Sequence, residues 1–375
     1  MSEIKKLGIL TSGGDCCGLN AVIESVVRTA TTKNYQVIGY KMGYDGLYNN
    51  DFIELNNENV RDIGRRGGSI IGNSNKTNLF NHYKEVNGVV TYSDDSDIAI
   101  ANMKKEHVDV LIVVGGDGSM TSARDFMRKG VNVICIPKTI DNDVPYTDKS
   151  FGYSTAVFHI ADALESVRTT GASHDRVMIL EVMGRHAGWL ALEGGLAGDA
   201  DFILLPEVPY DIKKIIEELV KRYKAGFKST VICVSEGSTP KDGEVTAVIN
   251  KKYPDAIKLG GIGAKLAVQL QEELAPLTGQ EVRSTNLGYI QRGGETNSVD
   301  KILSFRYGSY AVEAISKGDF GKMVSLRGEE LFTVPITEVV GNGPTGETSK
   351  GGRKNVNPDS DLLRCARSMG VFLGD

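Results

Sequence analysis

Val108-Asp109-Val110-Leu111-Ile112-Val113-Val114 runs directly into Gly115-Gly116-Asp117-Gly118-Ser119, and this junction decides the fold. The first seven residues are apolar apart from Asp109, which reads as a buried strand rather than a half-exposed one. The glycines mark a loop at its carboxyl end, and a helix follows that Gly130 closes. Val131–Ile136 is then a further strand, and it delivers Pro137-Lys138. Working outward, Lys6–Leu10 is a strand ending in Thr11-Ser12-Gly13-Gly14-Asp15. After it, Leu19, Val22, Ile23, Val26, Val27 and Ala30 repeat on one helical face, and Gln36–Tyr40 is the next strand. The second half has the same style. Val157, Ile160, Ala161, Leu164 and Val167 mark a helix, and Arg176–Val182 and Phe202–Leu205 are strands. Ile212, Ile215, Ile216, Leu219, Val220 and Tyr223 form another stripe before the strand Thr230–Val234. Such alternation requires crossover connections and mostly parallel sheets. The fold class is therefore α/β, with two doubly wound, mostly parallel-sheet domains.

Length and composition agree. At 375 residues the chain exceeds the roughly 250–300 residues over which one core grows, so two domains are expected. No Pro- or Ser-rich linker separates the halves, which predicts that they face a shared active-site cleft. Hydrophobic residues at 41% and charged ones at 24% exclude a disordered or fibrous protein. No apolar stretch reaches the ~18–20 residues of a membrane span, and the charged start reads against export. The net charge of −5 gives no general affinity for nucleic acid or acidic membranes. The five cysteines lack redox or zinc spacing, so reduced thiols in the cytoplasm are expected, and the five histidines show no metal-ligand spacing. Gly341–Pro358 is polar and rich in Gly and Pro, which marks it as a mobile segment.

Glycine, 44 residues, stands out because it gathers at strand ends. Open parallel sheets bind ligands beyond the carboxyl ends of their strands. In Gly115–Ser119 the glycines let backbone N–H groups close on phosphate oxygens, and Asp117 can hold Mg²⁺ through oxygen. A glycine turn with a solvated Asp and Ser119 as helix cap is the plain alternative. Pro137-Lys138-Thr139-Ile140-Asp141-Asn142-Asp143 follows the next strand. Two carboxylates two apart point the same way on an extended segment; on a turn they separate. One within reach of a sugar hydroxyl would accept its proton during transfer. The alternative is an Asx-rich turn.

The ordered set of motifs resembles the 6-phosphofructokinases over nearly the whole chain. It comprises Thr11–Asp15, Gly43-Tyr44-Asp45-Gly46-Leu47, the GGDGS and TIDND loops, and Glu181-Val182-Met183-Gly184-Arg185. Pro206-Glu207-Val208, Ser235-Glu236-Gly237 and Leu287–Gly294 complete it. The length, Lys138 and the ending Ala366–Gly370 resemble a longer subgroup that mixes ATP and pyrophosphate users. The resemblance implies a larger nucleotide-binding domain, residues 1–151 plus about 291–342. It also implies a smaller sugar-phosphate-binding domain, about 152–290 plus about 343–375. It implies transfer of the γ-phosphoryl group of ATP to O1 of fructose 6-phosphate, with Mg²⁺, in a cytoplasmic glycolytic enzyme.

By motif, Asp141 resembles the general base, with Thr139 and Ile140 as substrate contacts beside it and Asp143 structural or electrostatic. Asp117 matches the metal ligand, and Gly14, Gly116, Gly118 and Ser119 match the nucleotide-phosphate cradle. Met183, Gly184 and Arg185 match the loop around the transferring group, where Arg185 offsets developing charge. Glu236 matches a sugar-hydroxyl contact. Arg176, Arg283 and Arg292 match the 6-phosphate cations, with Tyr289, Ile290 and Gln291 in the same loop. The distance from Arg283 to Arg292 suits an extended strand running into the phosphate loop, a surface ion pair being the plain alternative for Arg283. The family's equivalents of Arg176 and Arg283 cross a subunit interface, which implies a homodimer or homotetramer.

Departures from the family pattern are Cys16-Cys17 after the first loop, Tyr289 in place of His, and an absent arginine after Arg66-Gly67-Gly68-Ser69, for which Lys76 is the substitute cation. Gly118 leaves room for an α-phosphate where pyrophosphate users carry Asp, whereas Lys138 is a feature they share. ATP is therefore the expected donor and pyrophosphate the alternative. Lipid and NAD kinases share GGDGS but have no use for TIDND or IQRGG. A non-catalytic sugar-phosphate-binding subunit would lack Asp141, Asp117 or Arg185. Finally, Glu24 stands where short bacterial members place an effector-binding cation, beside Arg28 and with Arg168, so little response to ADP or phosphoenolpyruvate is expected.

Overall fold

The computed structural model describes residues 4–86, 89–249, 257–343 and 352–375. The chain divides into two compact units. One comprises Met1–Ile140, Val144–Ser154 and Arg292–Arg353; the other comprises Asp141–Asp143, Thr155–Gln291 and Lys354–Asp375.

The first unit is built on a seven-stranded sheet in the order Glu330–Pro335, Lys322–Arg327, Val133–Pro137, Val110–Gly115, Lys6–Thr11, Gln36–Tyr40, Phe52–Leu55. The inner strands are parallel and both edge strands antiparallel. Every residue of Val110–Gly115 is buried, as the uninterrupted apolar run requires of a strand covered on both faces. On one face Leu111 and Val113 pack with Tyr44, Met120, Phe126 and Ile336. The helix Leu19–Thr32 buries all six residues of its predicted stripe and packs along Ser298–Ser316. That approach requires Gly308, where any Cβ would collide with Ser25 Oγ. Thr11 pairs with Val114 and Gly115 with Pro137, so three strands release their loops at one sheet edge.

The second unit holds an all-parallel sheet ordered Val282–Asn286, Val177–Val182, Thr230–Ser235, Phe202–Leu204. The helix Ile212–Lys224 buries Ile215, Ile216 and Leu219 against it, together with Leu266, Leu270 and Leu274 of Ile262–Thr278. Tyr223, the last residue of the predicted stripe, is exposed.

Two sequence expectations need correction. The central strands start at Val110 and Val133, not Val108 and Val131. Val108 N–H bonds the Met103 carbonyl and Val131 N–H the Phe126 carbonyl, closing the preceding helices beyond the left-handed His107 and Gly130. The strand carrying Arg283 ends at Asn286 and runs, as expected, into the loop of Arg292, where a 3₁₀ turn spans Gly288–Arg292. The helix after GGDGS starts at Asp117, with Gly116 at the capping position and Ser119 inside the first turn. Of the segment Gly341–Pro358, residues 344–351 lie outside the described residues. Among the described residues no helix is long and apolar enough to cross a membrane.

Candidate active-site loops

In the first unit, the loop after Lys6–Thr11 is held from several sides. Ser12 N–H donates to the Val114 carbonyl at 2.9 Å and Gly13 N–H to the Ser74 carbonyl at 3.0 Å. Asn73 Nδ2 donates back to the Gly13 carbonyl at 2.5 Å. Asn20 holds the adjoining Arg66–Ile70 turn by donating to the carbonyls of Arg66 and Gly67, each at 3.2 Å, and accepting from Ile70 N–H at 2.8 Å. Lys76 is exposed, two residues beyond Ser74.

Lys138 is buried and its ammonium donates to the Gly14 carbonyl, while its N–H donates to the Gly115 carbonyl at 3.0 Å. Arg292 donates to the Asp15 carbonyl at 2.9 Å and lies against Gly14, where a Cβ would come within 2.8 Å of the guanidinium. Burial raises the Asp15 carboxyl above the ordinary range, opposed by the Cys16 N–H and by the charges of Lys138 and Arg292. Gly14, Asp15, Lys138 and Arg292 thus form one cationic corner.

Beside it, Met120 N–H closes the first helical bond on the Gly116 carbonyl at 3.0 Å. Asp117 stands at the helix N-terminus with two thirds of its side chain exposed; one oxygen accepts from Gly118 N–H at 2.7 Å. The other lies 3.7 Å from Arg353, a neighbour that sequence reasoning missed. A Cβ added to Gly118 would meet nothing within 4 Å, so the space before this residue is open. Ser119 is buried, and its carbonyl accepts from Tyr44 Oη at 2.8 Å. Among the described residues no group of three or more His, Cys, Asp or Glu could form a metal cage. One exposed carboxylate instead suits a magnesium ion that keeps its waters and takes further oxygens from bound phosphates.

Thr139 and Ile140 still belong to this unit, and the Thr139 carbonyl accepts from Ser150 Oγ at 2.7 Å. Asp141–Asp143 belong to the second. Asn142 has φ 52°, so the segment turns and its two carboxylates do not share a face by strand alternation.

In the second unit, the Met183–Arg185 loop is fastened by its backbone. Met183 N–H donates to Gln291 Oε1 at 3.1 Å, and the Gly184 carbonyl accepts from Ser235 Oγ at 2.6 Å. Gly184 has φ 131°, and a Cβ there would sit 2.6 Å from Ser235 Oγ; glycine is the residue this bend admits. Half-buried Glu236 is aligned with the loop through its N–H to the Val182 carbonyl at 2.8 Å. Glu181, only 2% exposed, accepts from Gly261 N–H, Gly263 N–H and Asn286 Nδ2 between 2.7 and 3.1 Å. Its charge is compensated by these donors and the N-terminus of Ile262–Thr278. Sequence reading placed Glu181 in a motif without a role; its role here is to anchor the strand end that carries Met183.

Arg176 and Arg283 share one partner. Glu281 takes Arg176 Nε at 2.8 Å and Arg283 Nη2 at 3.2 Å, where the paired strands Val177–Val182 and Val282–Asn286 begin. Tyr289 and Ile290 are strongly exposed, whereas Gln291 is buried. The predicted residues therefore fall into two sets. Gly14, Lys76, Gly116–Ser119, Lys138, Thr139, Ile140 and Arg292 lie in the first unit. Asp141, Arg176, Met183–Arg185, Glu236, Arg283 and Tyr289–Gln291 lie in the second.

Residues 6–315 match the family model described as phosphofructokinase. The chain is 52% identical over 378 residues to ATP-dependent 6-phosphofructokinase 2 of Clostridium perfringens, covering 100% of both. It is 40% identical to ATP-dependent 6-phosphofructokinase of Chloroflexus aurantiacus, covering 100% of this chain and 99% of that one. It is also 40% identical to the pyrophosphate–fructose 6-phosphate 1-phosphotransferase of Amycolatopsis methanolica, over 89% of this chain and 94% of that protein. Among solved structures, Pichia pastoris phosphofructokinase in the T-state aligns with a TM-score of 0.75 at 29% identity. That alignment covers 90% of this chain and 37% of the much longer Pichia chain.

Proposed function

The chain belongs to the phosphofructokinase family, and on that footing we propose that it is an ATP-dependent 6-phosphofructokinase. It transfers the γ-phosphoryl group of ATP to O1 of D-fructose 6-phosphate, yielding fructose 1,6-bisphosphate and ADP, a step of glycolysis. The bond from O1 to the γ-phosphorus forms, the bond from that phosphorus to the β–γ bridging oxygen breaks, and the 1-hydroxyl proton passes to Asp141. A neutral sugar hydroxyl is a weak nucleophile, which is why a carboxylate at this position is needed. Arg185, on the loop that Gly184 bends, supplies positive charge as the equatorial oxygens of the transferring group gain charge. Met183 and Gly184 shape the loop around the sugar, and Glu236 binds a sugar hydroxyl. Arg176, Arg283 and Arg292, with Tyr289, Ile290 and Gln291, receive the 6-phosphate. In this reading Glu281 keeps the first two arginines oriented until the phosphate takes its place.

On the donor side, Gly14 and Gly116–Ser119 present N–H groups and a helix N-terminus to the polyphosphate, and Lys76 adds a cation. Asp117 would hold Mg²⁺, which would offset the negative charge of the donor's phosphates. The protein is assigned to the cytoplasm, acting as a homodimer or homotetramer with Arg176 and Arg283 crossing the interface.

The observation that carries the donor assignment is the open space in front of Gly118. An α-phosphate and the nucleoside beyond it need that space, and a carboxylate there would both fill it and repel them. Lys138 favours the second reading, pyrophosphate. Yet its ammonium, bonded to the Gly14 carbonyl beside the donor loop, can stand next to the phosphates of either donor, so it does not decide between them. A coupled assay offering ATP and pyrophosphate in parallel tests the choice. Turnover with ATP is expected; turnover with pyrophosphate alone would reverse the assignment.

A further inference from the structure

The mechanism leaves unused a short segment near the carboxyl end that touches both acceptor loops. Within the second unit, Lys354 N–H donates to the Asp143 carbonyl at 3.0 Å, two residues beyond Asp141. The Lys354 carbonyl accepts from Trp189 Nε1 at 2.7 Å, and its ammonium lies 5.4 Å from the centre of the same indole ring. Val356 is 1% exposed and donates its N–H to Glu207 Oε1 at 2.8 Å. That carboxylate also takes Gly188 N–H, at 2.9 and 3.1 Å, three residues beyond Arg185. One chain segment is thus bonded to the turn carrying the base and to the loop carrying Arg185.

We propose that Lys354–Val356 is a positioning strap for the sugar-phosphate side of the reaction, anchored by Trp189 and Glu207. Asp141 lies in a bend, outside any strand ladder, so the backbone that carries its carboxylate is placed by loop contacts rather than by sheet register. A misplacement of about 1 Å can cost ~10²-fold in rate, so the loop needs an external tie. The strap supplies it through the Asp143 carbonyl. The Glu207 carboxylate joins that tie to the Gly188 end of the second loop by charge-assisted bonds, the stronger kind. Trp189 and Glu207 touch neither substrate; they act through the backbone they hold. The proposal rests on the assignment of Asp141 and Arg185 given above.

The test uses the full chain, in which Trp189 is the one tryptophan, so its emission reports on the strap directly. Glu207→Ala is expected to lower kcat/KM for fructose 6-phosphate by roughly 10–100-fold while KM for ATP stays within about 2-fold. Its Trp189 emission should move to the red as Lys354 lifts from the ring. Glu207→Gln keeps Oε1, which accepts both N–H groups, and should recover most of the loss. Trp189→Phe keeps a ring but loses the N–H, and should show the same split at a few-fold. Glu207→Ala kinetics like those of the unmodified protein, equal losses for both substrates, or an unmoved emission would each overturn the strap. Should Glu207→Ala fail to fold, the split in Trp189→Phe decides. Near-native turnover of Asp141→Asn beside a clear split at Glu207 would overturn the base assignment and leave the strap standing. An inactive Asp141→Asn with no split would do the reverse.

Discussion

At the scale of single residues, Asp141→Asn keeps size and polarity but cannot accept the 1-hydroxyl proton. Folding and fructose 6-phosphate binding should survive, and kcat should fall by roughly 10²–10⁴-fold, the usual worth of a positioned general base. Steady-state kinetics with a binding titration check both halves of that statement. Gly118→Asp is the companion experiment on the donor. Because nothing lies within 4 Å of the new Cβ, the carboxylate would be accommodated without strain and the protein should remain folded. Its charge would stand where the α-phosphate goes, and kcat/KM for ATP should drop by more than the ~10²-fold that about 2.7 kcal/mol represents. Glu24 concerns regulation. It is buried, accepts from Gly64 N–H at 2.8 Å and pairs with Arg28 at 3.2 Å. Arg168 in turn donates to the carbonyls of Gly198 and Asp199 and lies 3.7 Å from Asp201. The Glu24 carboxylate repels a diphosphate and already holds Arg28, while Arg168 is drawn to the loop of Gly198 and Asp201. Fructose 6-phosphate saturation curves should therefore be unmoved by ADP or phosphoenolpyruvate at ordinary effector concentrations, and strong activation by ADP would contradict this.

At the scale of elements, the helix Asp117–Arg128 serves the donor loop at one end and a tertiary joint at the other. Arg124 is 1% exposed; it donates to the Gly341 carbonyl at 3.0 Å and pairs with Asp125 at 2.9 Å. Arg128 adds a bond to the Asn342 carbonyl at 2.8 Å. The end of the helix Ile336–Val340 therefore receives its hydrogen bonds from arginines of another helix. Arg124→Ala leaves the Gly341 carbonyl without its donor while Asp125 keeps Arg128, so a loss of about 1–3 kcal/mol is expected. A lowered midpoint of urea unfolding is the measure. An unchanged midpoint would show that water or the remaining arginine replaces those bonds.

At the scale of the whole molecule, two solution properties follow. Cys16, Cys17, Cys135 and Cys233 are buried and Cys365 is exposed. Burial pushes the first four thiols up, Cys17 and Cys233 to about 12, so their thiolates are scarce at neutral pH. A thiol reagent at pH 8 should titrate one of the five in the native protein and all five after denaturation. The second property is the shared site. If Arg176 and Arg283 serve a neighbouring subunit, the inactive Asp141→Asn and Arg283→Ala proteins should regain partial activity when mixed under subunit exchange. In such hybrids some sites draw an intact base from one chain and an intact arginine from the other. No recovery in demonstrated hybrids would place each site within one chain.

Local features are legible in the amino-acid sequence itself. Six apolar residues spaced on one face foretell the buried stripe of Leu19–Thr32, because helix periodicity is a property of neighbours in sequence. The same holds for the run Val110–Val114, whose continuity reports burial on both faces, and for glycines gathered at strand ends. Boundaries are less legible: Val108 and Val131 are apolar enough for strands, but their N–H groups close the helices before them. What the tertiary structure alone decided is which distant groups meet. Lys138 reaches the Gly14 carbonyl, Arg176 and Arg283 share Glu281, Glu181 anchors Gly261 and Gly263, and Lys354 finds Asp143. These partners are separated by anything from two residues to more than two hundred. Their meeting depends on strand order and parallel register, which no local pattern encodes. Composition and spacing set what each loop can do chemically; the order of strands in the two sheets set which side chains stand beside it.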